Sequence, residues 1–266
     1  MQPLLSVVIP CFNHGSYIQD ALTSVAEIKG IAYEVIIVND GSTDAFTIQK
    51  LAELEAEGYQ VIHQTNSGLA ATRNRAIAAA KGIYILPLDA DNKIRPEYVY
   101  KAIPLLESKE TDIVYCRPEF FGNVTSGRDY ETRSFDILDL SIENYIDACA
   151  VYRKDMWEKL GGYDPDMPFM GQEDWEFWIH AYSKGYRFTF LNEQLFFYRV
   201  VGNSMIAQMS AADKTSLNHQ YLVRKHAEYF SESYRRLYYA HKSHQSDLRQ
   251  PFRSFGKYLY HYYKSR

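Results

Sequence analysis

Two acidic pairs in this chain have the spacing to do chemistry. The first, Asp89-Ala90-Asp91, closes the apolar run Ile83-Tyr84-Ile85-Leu86-Pro87-Leu88. A buried strand that stops at two carboxylates delivers both to one edge of a sheet, because residues i and i+2 of an extended segment point the same way. One hard cation fits between such a pair and a diphosphate, since carboxylate and phosphate oxygens are what Mg2+ or Mn2+ prefers. A lone Asp-x-Asp is more often a polar strand end entering a turn. The second pair, Glu173-Asp174, opens a helical stretch after Gly171-Gln172. Acids in the first turn of a helix are ordinary, and Trp175, Phe177 and Trp178 behind them read equally well as a buried face.

The elements that position these pairs alternate through the first half. Residues 4–9 form a buried strand, followed by a turn over 10–15 and a helix over 16–28 with Ile18, Leu22, Val25 and Ile28 at helical spacing. A strand at 34–38 ends in Asn39-Asp40-Gly41-Ser42. The spacing then predicts a helix over 44–57 with Ile48, Leu51 and Leu54 on one face, a strand at 60–63, an Ala-rich helix over 68–80 stopped by Gly82, and the strand ending at Asp89. Such alternation implies an α/β fold, a parallel sheet with helices on both faces. Ligands of such sheets bind at the carboxyl ends of the strands, which here carry Asn13, Asp40, Asn66 and Asp89. Beyond residue 96 the pattern loosens. Helices are expected over 96–106, 154–160 and 174–184, extended segments at 113–120 and 148–153, a polar loop at 122–133, paired strands within 187–200, and helices from about 204 onward.

Bulk properties narrow the classes. The 266 residues, 46% of them hydrophobic, suffice for one large domain or one domain with an appendage. No apolar run approaches the roughly 20 residues that span a bilayer. The N-terminus lacks the basic region and cleavage site of a signal peptide, and Cys11, Cys116 and Cys149 suggest neither a disulfide framework nor a zinc cluster. A reducing, cytoplasmic location is expected. From Tyr221 onward ten Lys/Arg face three Asp/Glu, leaving an acidic body and a basic tail.

The chain resembles the family 2 inverting glycosyltransferases, which have the nucleotide-sugar-binding fold called GT-A. Six segments stand in the family's order: Val7-Val8-Ile9-Pro10-Cys11-Phe12-Asn13, Val38-Asn39-Asp40-Gly41-Ser42-Thr43-Asp44, 66–74, Leu88-Asp89-Ala90-Asp91-Asn92, Leu160-Gly161-Gly162-Tyr163-Asp164 and Gln172-Glu173-Asp174. The resemblance covers roughly 3–205 and implies a GT-A domain over 1–205, with a nucleotide-binding half (1–95), an acceptor half (96–205) and a helical extension (206–266). It implies that Pro10, Phe12 and Asn13 lie along the nucleotide, that Asp40 accepts the imide N–H of a uracil, and that Arg73 holds the nucleotide and offsets its phosphates. Asp89 would bind the ribose or donor sugar, and Asp91 would coordinate a divalent Mn2+ or Mg2+. The catalytic base falls at Asp174, with Glu173 as an acceptor or sugar contact; the two could be exchanged.

Each role has a plainer alternative. Residues 40–44 also make a good turn and helix cap, Phe12 could be core, and an Arg on a helix is usually a surface charge. Trp175 could stack on a sugar, with core the more ordinary fate. Two positions depart from the family pattern. Asn92 replaces a common third Asp, and Val201 stands where many relatives carry a His, leaving water, phosphate or Asn203 to complete a metal's coordination.

The expected activity is transfer of a sugar from a UDP-linked donor to a hydroxyl of a saccharide or lipid-linked acceptor, with inversion, in cell-surface polysaccharide synthesis. A hexosyl- or N-acetylhexosaminyl-transferase fits this description. A sugar nucleotidyltransferase would need a Gly-rich basic loop after the first strand, and 10–15 has one Gly and no Lys or Arg. The alternative is a catalytically inactive nucleotide- or carbohydrate-binding scaffold. The basic, aromatic tail (253–264) suits a peripheral membrane contact, a helix packed on the body or a homodimer contact. Nothing in the acidic body favours nucleic acid.

Overall fold

The structure is a computed structural model that describes residues 2–123, 131–201 and 212–249, with 252, 253, 255, 256 and 260 beyond them. In chain order the elements are β1 (Leu5–Cys11), α1 (Gly15–Ala26), β2 (Tyr33–Asp40), α2 (Ala45–Ala56), β3 (Gln60–Gln64), α3 (Leu69–Ala79), β4 (Tyr84–Pro87) and β5 (Lys93–Ile94). There follow α4 (Pro96–Glu107), β6 (Ile113–Gly122), α5 (Ile137–Leu140), β7 (Val151–Arg153), α6 (Lys154–Leu160), α7 (Glu173–Ser183), β8 (Phe188–Val200), α8 (Ala212–Lys225) and α9 (Ala227–Arg249).

The strands form one sheet in the order β3-β2-β1-β4-β7-β6-β8-β5. β1 pairs in parallel with β2 and β4, and β2 with β3. β7 runs antiparallel between β4 and β6, and β6 runs parallel to β8. The carboxyl ends of β1, β2, β4 and β6 therefore share one edge. The expected mostly parallel sheet flanked by helices is present.

Strand side chains alternate between two cores, as the two-residue period requires. Leu5, Val7 and Ile9 join Leu22, Leu51 and Leu106 of α1, α2 and α4, whereas Val8 joins Ile77, Met156 and Trp178 of α3, α6 and α7. Leu222 of α8 and Tyr229 of α9 are buried in the second core, so these helices pack on the body. The distal part of α9 is exposed at Tyr234, Tyr238 and Tyr239. Among the described residues no helix is long and apolar enough to cross a membrane.

Three expectations are corrected. Residues 188–200 make one 13-residue strand rather than paired strands, its partners being β6 and the two-residue β5. Ile48 is exposed, and Thr47 takes the core position on α2. Its hydroxyl accepts from Gly15 N–H and donates to Asp44 Oδ2 (2.9 and 2.7 Å), so burial leaves nothing unpaired. Finally, β4 stops at Pro87, and Asn92 N–H donates to Asp89 C=O at 2.9 Å. A tight turn, not extended geometry, therefore brings Asp89 and Asp91 together.

Candidate functional site

The first loops of the edge are tied to each other by Asn13. This residue sits in the left-handed region (φ 56°), which Asn tolerates better than most side chains. Its Oδ1 accepts from the backbone N–H of Thr43 and Asp44 (2.8 and 2.9 Å), and its own N–H donates to Ser42 Oγ (3.1 Å). Asn39 closes β2 by accepting from Ser42 N–H, and Asp44 caps α2 through Thr47 N–H (2.7 Å). Pro10 is buried within β1. Phe12, 45% exposed, is not core and stands free at the rim.

Asp40, at the end of β2, is buried and sets the start of α3. Its Oδ1 accepts from Gln64 Nε2 and Ser67 N–H (both 2.8 Å), and its Oδ2 accepts from Gly68 N–H (3.1 Å). Oδ2 thus keeps acceptor capacity that Oδ1 has spent.

Arg73, on α3, is 1% exposed rather than a surface charge. One terminal nitrogen donates to Asp89 Oδ1 at 2.7 Å, the other to Glu173 Oε1 at 2.6 Å. Its Nε is buried without a partner, and the guanidinium lies over the Tyr163 ring. Burial works against its charge, but Asp89 and Glu173 outweigh that and hold the proton more tightly than usual. A single guanidinium therefore joins the carboxyl end of β4 to the amino end of α7, although the two lie far apart in sequence.

Asp91 is largely buried, and burial, then the neighbouring Asp89 charge, pushes its carboxyl up to about 6. His14 Nδ1, 4.0 Å from Asp91 Oδ2, opposes this. Arg199 of β8 braces the turn. Its N–H donates to Asn92 Oδ1, its Nε donates to the Asp91 carbonyl (both 2.9 Å), and its guanidinium lies between the rings of Tyr17 and Phe121. Asn92 serves this turn as a neutral acceptor. Two neighbouring carboxylates, with Asp89 disfavouring the charge of Asp91, are oxygen donors that fit a hard cation. Among the described residues no group of three or more His, Cys, Asp or Glu could hold a metal, so phosphate or water oxygens would have to complete the coordination. Asn203 lies outside the described residues.

The second pair divides by environment. Both oxygens of the buried Glu173 are engaged, Oε1 by Arg73 and Oε2 by Gly171 N–H at 2.8 Å. Asp174 is only partly covered. Its Oδ1 accepts from Asn144 Nδ2 (3.0 Å) and Trp175 N–H (2.8 Å), while Oδ2 has no hydrogen bond among the described residues. Loss of hydration, then the charge of Glu173, pushes Asp174 up to about 8. Trp175 is core: it is 1% exposed, with its indole N–H donating to Leu140 C=O.

The edge thus gathers Asn13, Asp40, Arg73, Asp89, Asp91, Glu173 and Asp174, with Pro10 and Phe12 on β1 and its following loop. His14, Asn144 and Arg199 were not anticipated from sequence. Two of them gave a signal: His14 follows Asn13 in the first turn, and Arg199 belongs to the Tyr198-Arg199 pair that precedes Val201.

The family model described as Glycosyl transferase family 2 matches residues 6–161, more than half of the chain, and the chain belongs to that family. Glycosyltransferase TuaG of Bacillus subtilis, a protein named for teichuronic acid biosynthesis, is 28% identical over 231 residues, covering 85% of this chain and 90% of TuaG. Among solved structures, S. aureus TarS 1–349 in complex with UDP-GlcNAc superposes with a TM-score of 0.65 at 21% identity, over 80% of this chain and 64% of that one. The mannosyltransferase PcManGT from Pyrobaculum calidifontis, in complex with GDP-Man and Mn2+, gives 0.66 at 18% identity, over 84% of this chain and 65% of that one. These likenesses establish the fold, and the family assignment makes the protein a glycosyltransferase.

Proposed function

We propose that the protein is a metal-dependent, inverting glycosyltransferase that moves a sugar from a UDP-linked donor to the hydroxyl of a saccharide or lipid-linked acceptor. The observation that carries this reading is the Arg73 bridge, which places the carboxylate turn and the Glu173-Asp174 pair in one site. The name of TuaG supports cell-surface polysaccharide synthesis as the setting. Binding of UDP-GlcNAc and of GDP-Man with Mn2+ by structural neighbours supports a nucleotide-sugar donor and a divalent ion.

In this mechanism Phe12, Pro10 and Asn13 flank the nucleotide, and Asp40 Oδ2 takes a uracil imide N–H with its spare lone pair. Arg73 acts by orienting Asp89 toward the donor sugar and by keeping a buried positive charge near the phosphates. Asp91 would hold a Mn2+ or Mg2+, which would supply charge neutralisation for the departing diphosphate. Asp174 Oδ2 takes the acceptor proton as the acceptor oxygen bonds to the anomeric carbon. The bond from that carbon to the diphosphate oxygen breaks, and its electron pair leaves with the nucleotide.

Asp91→Ala lowers UDP affinity by about tenfold or more in Mn2+ and leaves it unchanged in EDTA, a metal-ligand effect of the usual size. Calorimetry reads the difference, and equal loss in both buffers removes the metal role. Because Asp174 must be deprotonated to act, kcat/KM rises with pH, with unit slope below about 8 and a plateau above it. A profile flat from pH 6 to 9 contradicts that base. The reading as a whole is tested by incubating the protein with a panel of UDP-sugars and Mn2+ and following UDP release and product anomeric configuration by NMR. Inversion is expected, and retention refutes the mechanism.

A further inference from the structure

The family match ends at residue 161, yet the segment that delivers the base lies beyond it, and α8 grips that segment at three points. At its start, Asp164 Oδ2 accepts from Tyr221 Oη and Lys225 Nζ at 2.7 and 2.6 Å. At its far side, the fully buried Glu176 on the first turn of α7 takes Lys225 Nζ at 2.9 Å and pairs with His226 at 2.7 Å. Between them stands Asn218, which is 0% exposed. Its Oδ1 accepts from Phe169 N–H (3.0 Å), and its Nδ2 donates to Phe169 C=O (2.9 Å) and Gln172 Oε1 (3.0 Å). A carboxamide paired with both polar groups of one backbone residue fixes that residue in position and direction. No other side chain matches this donor and acceptor set at the same length.

Gln172 is the cap residue of α7, and the next two residues are Glu173 and Asp174. Loop 165–172 has no strand or helix of its own, so these contacts, together with Gly171 N–H on Glu173 Oε2, hold its path up to the start of α7. Met170 lies against Gly68 at the start of α3: a Cβ there would fall 2.9 Å from the Met170 sulfur. The loop therefore spans the ground between the donor-side loop and the acid pair.

We propose that Asn218 is a positioning residue for catalysis: it holds loop 165–172 so that Asp174 keeps its partial cover from water and stays aimed at the acceptor. The catalytic meaning rests on Asp174 being the base, but the geometric claim does not. Helix α8, beyond the family match, accordingly supports the site of this chain rather than being an accessory to it.

The test follows the 13C carboxyl signal of Asp174, assigned by its absence in D174N, through a pH titration of the full chain without substrate. In N218A the titration midpoint is expected to fall by about one pH unit or more, because water reaching the carboxylate relieves the desolvation that raises it. The charged groups around Asp174, namely Glu173 on its own helix, Arg73 on α3 and Asp147 before β7, are untouched by the substitution. UDP affinity in Mn2+ should remain within about threefold, since the donor loops are intact. Q172A removes one of the three Asn218 bonds and should shift the midpoint less, in the same direction; it decides the matter alone if N218A does not fold. An unchanged Asp174 midpoint in the folded variants overturns the proposal. Loss of UDP binding with that midpoint unchanged overturns it as well. Whether Asp174 is the base is decided separately by transfer in D174N, so the two claims fail independently.

Discussion

Asp174→Asn abolishes glycosyl transfer while leaving UDP affinity within about threefold of the wild-type value. General-base removal typically costs about 10^2 to 10^4 in rate. The upper end is expected here, because the adjacent Glu173 is not free to substitute: both its oxygens are committed, to Arg73 and Gly171. Asparagine keeps the acceptor for Asn144 Nδ2 and Trp175 N–H, so the local structure survives. Stability moves the other way. A carboxyl whose folded-state pKa is raised holds a proton that the unfolded chain has already released, so its contribution declines as pH climbs from the ordinary carboxylate range toward about 8. The neutral amide escapes that decline, and D174N should melt higher than wild type at pH 8, with a smaller gap at pH 5. Undiminished turnover in D174N would remove Asp174 as base, and an unaltered melting temperature at pH 8 would contradict its desolvation.

Arg73→Met destabilises the fold by about 3–5 kcal/mol, the usual result of stripping one partner from a buried ion pair. The charge left behind at Glu173 is 3% exposed, whereas Asp89, about a third exposed, recovers water. Most of the cost therefore comes from Glu173, and R73M/E173Q should regain a large part of it. Urea denaturation with unchanged m-value reads both variants. If R73M alone shifts the midpoint no more than a surface substitution would, the bridge does not hold the site together.

The strand pattern of the first half was legible because Val7, Val8 and Ile9 are apolar on both sheet faces, which only a doubly covered sheet permits. Asp89-Ala90-Asp91 was legible as a motif, but its geometry was not: Pro87 ends the strand early and a turn takes over. The resemblance singled out Arg73 as a nucleotide contact, with a surface charge as the alternative, but not its two carboxylate partners, which lie 16 and 100 residues away in sequence. Local patterning carries no record of such pairs. The same holds for Asn218, one polar residue in a polar helix until loop 165–172 is laid against it. Ile48 misled because hydrophobicity usually decides which side of a helix is buried. On α2 the Thr47 hydroxyl finds both its partners inside, so a polar side chain wins the core position.

The most direct test of the account is a calorimetric titration of UDP into the wild-type protein, first with Mn2+ and then with EDTA. GDP and dTDP serve as controls for the base. Binding of UDP alone, and only with the metal present, is the result expected if Asp40 selects the uracil and Asp91 reaches the diphosphate through the ion. Metal-independent binding, or equal binding of all three nucleotides, would contradict that assignment. No binding of any nucleotide would leave a GT-A scaffold without its chemistry.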